Sequence, residues 1–126
     1  MWELYNTNPT GKHVGDCAVR ALTKALDLTW DQAYSMLAMQ GYIMGDMPSS
    51  NAVFGAVLKA NGFTREVIPN ECPDCYTLED FANDHPAGTF VVGMSGHVAT
   101  VIDGVIYDAW HSESEIPIYV WRKDEE

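Results

Sequence analysis

Ser95-Gly96-His97-Val98-Ala99-Thr100-Val101-Ile102-Asp103-Gly104-Val105-Ile106-Tyr107-Asp108-Ala109-Trp110 reads as two alternating runs joined by Asp103-Gly104. Asp-Gly between such runs signals a two-residue hairpin turn with positive φ at both turn positions. In that register Ile102 faces Val105, Ala99 faces Asp108 and His97 faces Trp110. Side chains alternate across a sheet, so His97, Ala99 and Val101 share a face with Ile106, Asp108 and Trp110. Asp108 is then the diagonal neighbour of His97, with Cβ atoms about 7–8 Å apart or less, a gap these side chains close. An aspartate that orients a histidine fixes its tautomer and stabilises the imidazolium, which is half of a nucleophilic triad. Val101, Ile106 and Trp110 make the same face partly apolar, and a buried His and Asp each need the partner the other supplies. Trp110 is expected to shield that hydrogen bond from water, and Ala99 leaves room for the pair.

The other half of such a site lies far upstream, in Gly15-Asp16-Cys17-Ala18-Val19-Arg20-Ala21-Leu22. Asp16 suits an N-cap, its carboxylate accepting first-turn backbone N–H groups. Cys17 is thereby expected at or next to the first helical position, where the helix dipole favours a thiolate. Alone, a cysteine there is either an activated nucleophile or a small hydrophobe that starts a helix. The His97–Asp108 hairpin favours the nucleophile.

Between these stretches the chain alternates periodic segments with breakers. Residues 1–15 carry Asn6, Asn8-Pro9, Gly11 and Gly15 and read as an irregular leading segment. The first helix is expected over 16–26, with Val19, Leu22 and Leu26 on one apolar line beside Ala18, Ala21 and Ala25. Thr29 with Gln32 makes a capping box for a second helix whose stripe is Trp30, Ala33, Tyr34, Leu37 and Ala38, with Gly41 as its C′ residue. Residues 42–48 read as an apolar loop. Ser49 or Ser50 caps a third helix carrying Val53, Phe54, Val57 and Leu58, ended by Gly62. A strand follows at 63–68, a breaker-rich loop at 69–76, and a short helix from Thr77 with Leu78, Phe81 and Ala82 inward, stopped by Pro86. Strands are expected at 89–94, 97–102, 105–110 and 116–121, before a charged tail. Helices first and strands last is an α+β pattern.

At 126 residues and 47% hydrophobic content, the chain is expected to form one soluble domain over residues 1–126. A formal charge of −11 argues against nucleic acid and anionic membrane as partners. No stretch reads as a signal peptide or a bilayer span, so a cytoplasmic location is expected. Three cysteines in such a chain argue against a disulfide framework.

Together, GDCAVRA and SGHVATVIDGVIYDAW resemble the papain-like cysteine peptidases, in the style of their small bacterial or phage-type members. That family places a cysteine at the N-terminus of a central helix, a histidine on a later strand and an Asn or Asp on the next. Cys17, His97 and Asp108 match in that order, and Trp110 matches the tryptophan two residues beyond the orienting residue. The resemblance implies an N-terminal group of helices, with the cysteine on the central one, packed on a C-terminal antiparallel sheet. It implies a hydrolase that cleaves a peptide or isopeptide bond through a thioester, acts on a peptide or protein and needs no cofactor. The glutamine that family members commonly place a few residues before the cysteine is missing, with Gly11 six residues upstream of Cys17. Asn6 or Asn8 is left to supply the oxyanion donor opposite the Cys17 N–H, with Asp16 and Trp110 in support. The alternatives are a catalytically silent binding module, acting as an acidic inhibitor or adaptor, and a small zinc-stabilised domain.

Cys72-Pro73-Asp74-Cys75 is half of a zinc site with no second CxxC to complete it. As a metal site Cys72 and Cys75 are weak candidates. The expectation is that both are loop thiols.

Overall fold

In the computed structural model, which describes residues 1–69 and 75–124, the elements run β1 (Trp2–Leu4), α1 (Cys17–Leu26), α2 (Trp30–Met44), α3 (Asn51–Ala60), β2 (Phe63–Val67), α4 (Leu78–Asp84), β3 (Thr89–Met94), β4 (His97–Ile102), β5 (Val105–Asp108) and β6 (Tyr119–Lys123). Among the described residues the protein is thus a mixed α+β fold of four helices and one six-stranded sheet, in the order β1-β5-β4-β3-β6-β2.

Helices α2, α3 and α4 begin where their side-chain caps dictate. Thr29 and Gln32 form a reciprocal capping box on α2, Thr77 and Asp80 form another on α4, and Ser50 caps α3 through the Ala52 N–H. The hairpin turn is as its Asp-Gly demands: Asp103 has φ 50° and Gly104 φ 78°, with Ile102 opposite Val105 and Val101 opposite Ile106. The sheet is covered on both faces. Val19 and Leu22 of α1 join Phe54 and Leu58 of α3 over Val91, Val98 and Trp121. On the other face Leu78 and Phe81 of α4 pack with Phe90, Val92, Val101 and Ile106. Alternation along β3, with Phe90 and Val92 to one side and Val91 to the other, is what lets one strand serve both cores. Thr100 Oγ1 donates to the Ala21 carbonyl at 2.8 Å, fixing α1 along β4.

Four expectations are corrected. The sheet is mixed rather than antiparallel, because residues 2–4 form β1 and run parallel to β5, with Leu4 beside Asp108. Helix α2 passes Gly41 and ends at Gly45, whose φ of 68° makes it the left-handed cap. Gly41 is there for closeness: a Cβ on it would lie 2.7 Å from the Asp46 carbonyl oxygen. The last strand starts at Tyr119, after the buried Pro117, which has no N–H for a ladder. Finally, Cys75 is disulfide-bonded rather than a free thiol. The Cys72 expectation lies outside the described residues. No described helix is long and apolar enough to cross a membrane.

Candidate active site

Cys17 is the first residue of α1, His97 the first of β4 and Asp108 the last of β5. Three element ends therefore converge. His97 Nε2 donates to Asp108 Oδ2 at 2.6 Å, leaving Nδ1 as the ring nitrogen to meet Cys17, with which His97 is hydrogen-bonded. The His97 and Asp108 side chains are 8% and 1% exposed, so this contact is close to water-free. Trp110 lies against the imidazole, ring centroids 4.5 Å apart, while remaining partly exposed itself.

The Asp108 carboxylate has four donors. Oδ2 accepts from His97 and from Ser112 Oγ at 2.6 Å, and Oδ1 accepts from Arg20 Nη2 at 3.1 Å and the Ala109 N–H at 2.8 Å. The Ala109 bond also turns the chain after Asp108, which is why the strand stops before the expected Trp110. Burial pushes the Asp108 carboxyl up, but the His97 and Ser112 hydrogen bonds outweigh it and hold the group below its usual range. For His97, burial works against the charged form, yet the bonds to Asp108 and Cys17 raise it to about 9. For Cys17, burial raises the thiol, but His97, the Val98 backbone and the charge of Arg20 bring it below its ordinary value. All three directions favour a thiolate beside an imidazolium held by a carboxylate.

Asp16 sits at the N-cap position of α1 but makes no side-chain cap bond, correcting the sequence reading. Its Oδ1 takes Arg20 Nη1 at 2.6 Å and its Oδ2 takes Trp30 Nε1 at 3.0 Å. A charge-assisted bond to guanidinium is about twice as strong as a neutral one, so Arg20 outcompetes the backbone for this carboxylate. The first-turn N–H groups of α1 are thereby left without a side-chain cap, facing the side where Cys17 stands.

Two small pockets flank Cys17. One, of about 190 Å³, is lined by Ser49, Asn51, Met94, His97 and Tyr119. The other, of about 250 Å³, is lined by Asn6, Lys12, His13, Arg20 and Trp110. Asn6 thus stands at the Cys17 pocket, its Nδ2 using one hydrogen on the Lys12 carbonyl at 3.3 Å. Asn8 does not reach either pocket; its Oδ1 closes an Asx turn on the Thr10 N–H and hydroxyl. Of the two asparagines, Asn6 is the one the structure brings to the cysteine. Tyr119 is seated by Gly93: a Cβ there would fall 2.1 Å from the tyrosine ring. Gly93→Ala is expected to expel that ring and cost about 1–3 kcal/mol, seen as a lowered melting temperature.

A wider cleft of about 590 Å³ adjoins both pockets, sharing Ala18 and Ser49 with one and Lys12, Val14 and Gly15 with the other. Its deeper wall is apolar, built on Leu37 and on Trp30 stacked against Tyr34 at 5.0 Å.

Arg20 and Ser112 are the site residues sequence reasoning missed. The Asp16–Arg20 spacing of four is visible on a helix, but a partner 88 residues away is not. Among the described residues no group of three or more His, Cys, Asp or Glu is placed to hold a metal ion. Compared with protein-family models, curated proteins and solved structures, the chain finds no match in any of the three.

Proposed function

We propose that this chain is a papain-like thiol hydrolase that cleaves a peptide or isopeptide bond through a Cys17 thioester. The observation that carries the reading is the half-buried Cys17–His97–Asp108 array, in which His97 is raised and Cys17 lowered from their ordinary values. The Cys17 thiolate attacks the substrate carbonyl carbon, forming an S–C bond. The oxyanion is held by the uncapped first-turn N–H of Cys17 and by the Asn6 amide. The C–N bond breaks as His97 passes its proton to the leaving amine. Water then attacks the thioester while His97 takes its proton, the S–C bond breaks, and the acid is released with Cys17 restored. Asp108 keeps the imidazole oriented throughout.

The size and lining of the cleft support a substrate with a bulky apolar side chain near the cleaved bond. At about 590 Å³ it falls within the ~300–1,000 Å³ range of sites that engulf a small ligand, whereas the two pockets at Cys17 are narrower. Peptidyl ketone inactivators carrying Phe or Leu are expected to react at least about tenfold faster than glycine counterparts.

The decisive experiment is alkylation of Cys17 by iodoacetamide near pH 6. A free cysteine has well under about 1% thiolate there, so an activated Cys17 reacts roughly 30- to 100-fold faster. A rate equal to free thiol would leave a binding module without turnover. With a peptide substrate, kcat/KM is expected to rise as pH passes the lowered Cys17 pKa, which creates the nucleophile. It falls again near pH 9, where His97 loses the proton the leaving amine needs. Alkylation needs no such proton and stays level on the alkaline side.

A further inference from the structure

The mechanism above uses Cys17, His97 and Asp108 but leaves unexplained a buried arginine. Arg20 is 5% exposed and bridges two carboxylates, Asp16 at 2.6 Å and Asp108 at 3.1 Å, that are themselves buried. A guanidinium offers a planar fork of donors, so it can hold two carboxylates in fixed relative positions where an ammonium cannot. The bridge joins the helix that carries the cysteine to the strand that carries the aspartate. It also continues outward, since the second Asp16 oxygen holds the Trp30 indole at the wall of the apolar cleft.

We propose that Arg20 is a positioning residue of this site. Its fork fixes Asp108 by Oδ1, so that Oδ2 points at His97, and it draws Asp16 away from the first turn of α1. That turn keeps its N–H groups for the anion at Cys17 and for the oxyanion, instead of spending them on the carboxylate of the residue just before the nucleophile. A cap formed by Asp16 would place a negative charge where the thiolate must form, and Arg20 prevents it. The inference rests on the thiol hydrolase reading and adds to it a residue that need not touch substrate.

The charged and titratable groups around this device are Asp16 at the N-cap position of α1, Cys17 on α1, His97 on β4 and Asp108 on β5. Lys12 and His13 of the leading segment share its pocket, and Tyr119 faces the thiol from β6. His13 is the histidine of that pocket that makes none of the network's hydrogen bonds. The test is therefore run in a His13→Asn background. The pH dependence of iodoacetamide alkylation at Cys17 is compared for Arg20, Arg20→Lys, Arg20→Met and Arg20→Met with Asp16→Asn, on protein shown to be folded by circular dichroism.

With Arg20 present, the profile has a midpoint below that of free cysteine. Arg20→Met is expected to move the midpoint up by about one pH unit, a roughly tenfold loss of thiolate on the acid side. Arg20→Lys, which keeps the charge and loses the fork, is expected to fall between the two and is the variant to read if Arg20→Met does not fold. Adding Asp16→Asn to Arg20→Met removes one stranded carboxylate, so thermal stability recovers in part while the midpoint stays above that of the Arg20 protein. A midpoint unmoved in both Arg20→Lys and Arg20→Met, or one that returns fully as stability returns, would overturn the positioning role and leave the hydrolase reading intact. An unactivated Cys17 in the Arg20 protein itself would overturn both.

Discussion

Replacing His97 by alanine is expected to slow alkylation of Cys17 near pH 6 by about 30- to 100-fold and to reduce peptide turnover by about 10⁴-fold or more. The imidazole supplies both a hydrogen bond and a positive charge to the thiolate. Without it, burial is opposed only by the Val98 backbone bond and the charge of Arg20, and burial raises a thiol. The two readouts differ in size because alkylation needs only a thiolate, whereas turnover also needs a proton donor and a base. The fold survives this change: Asp108 keeps Ser112, Arg20 and the Ala109 N–H, so its charge stays partnered. Intact-protein mass spectrometry gives the alkylation rate, and a melting curve within a few degrees of the parent shows that structure was kept. Equal alkylation rates in the two proteins would sink the idea of an activated pair.

The largest loss of stability is expected at Arg20. Arg20→Met leaves Asp16 and Asp108 buried without their shared cation, and removing one partner of a buried ion pair costs about 3–5 kcal/mol. Domains of this size have roughly 5–15 kcal/mol in total, so the loss is a large fraction of the stability and the variant is best handled in the cold. The melting temperature should drop by roughly 10–20 °C. Swapping a buried ion pair for well-packed apolar groups can be neutral, but only when every charge is removed together. Here two carboxylates would remain. Urea unfolding of Arg20→Met, with and without Asp16→Asn, measures how much of the loss is the stranded charge at Asp16. A loss below about 1 kcal/mol in the single variant would show that the bridge is not held in solution.

What could be read from residues alone followed how local each determinant is. The Asp103-Gly104 turn fixes its own register, seen as far as Thr100 opposite Tyr107, and the expected contact of His97 with Asp108 is made at 2.6 Å. The capping boxes at Thr29 and Thr77 involve residues three apart, and both are formed. Strand β1 was missed because Trp2-Glu3-Leu4 is too short to show alternation, and its ladder depends on β5, about a hundred residues away. Gly41 looked like a helix end because glycine favours left-handed caps. Its true reason, the approach of the Asp46 backbone, is a packing fact with no local trace. Asp16 misled in a useful way. Its type and position suit a cap, and only the buried guanidinium of Arg20 shows why the cap is not made.

The parallel seam between β1 and β5 bears on the order in which the molecule is put together. Asp108 ends β5, and the seam holds it in place from the far side: the Tyr5 N–H donates to the Asp108 carbonyl at 2.7 Å, and the Met1 carbonyl accepts from Ile106. With β1 in place, β5 is an interior strand, and without it β5 would be an edge free to fray at its last residue. During synthesis the helix bearing Cys17 emerges early, but the histidine, the aspartate and the strand that receives β1 emerge only in the final third of the chain. Closing so long a loop is a late event in folding. Until it closes, Cys17 lacks the His97 hydrogen bond and charge that lower it, and the nascent chain carries an ordinary thiol.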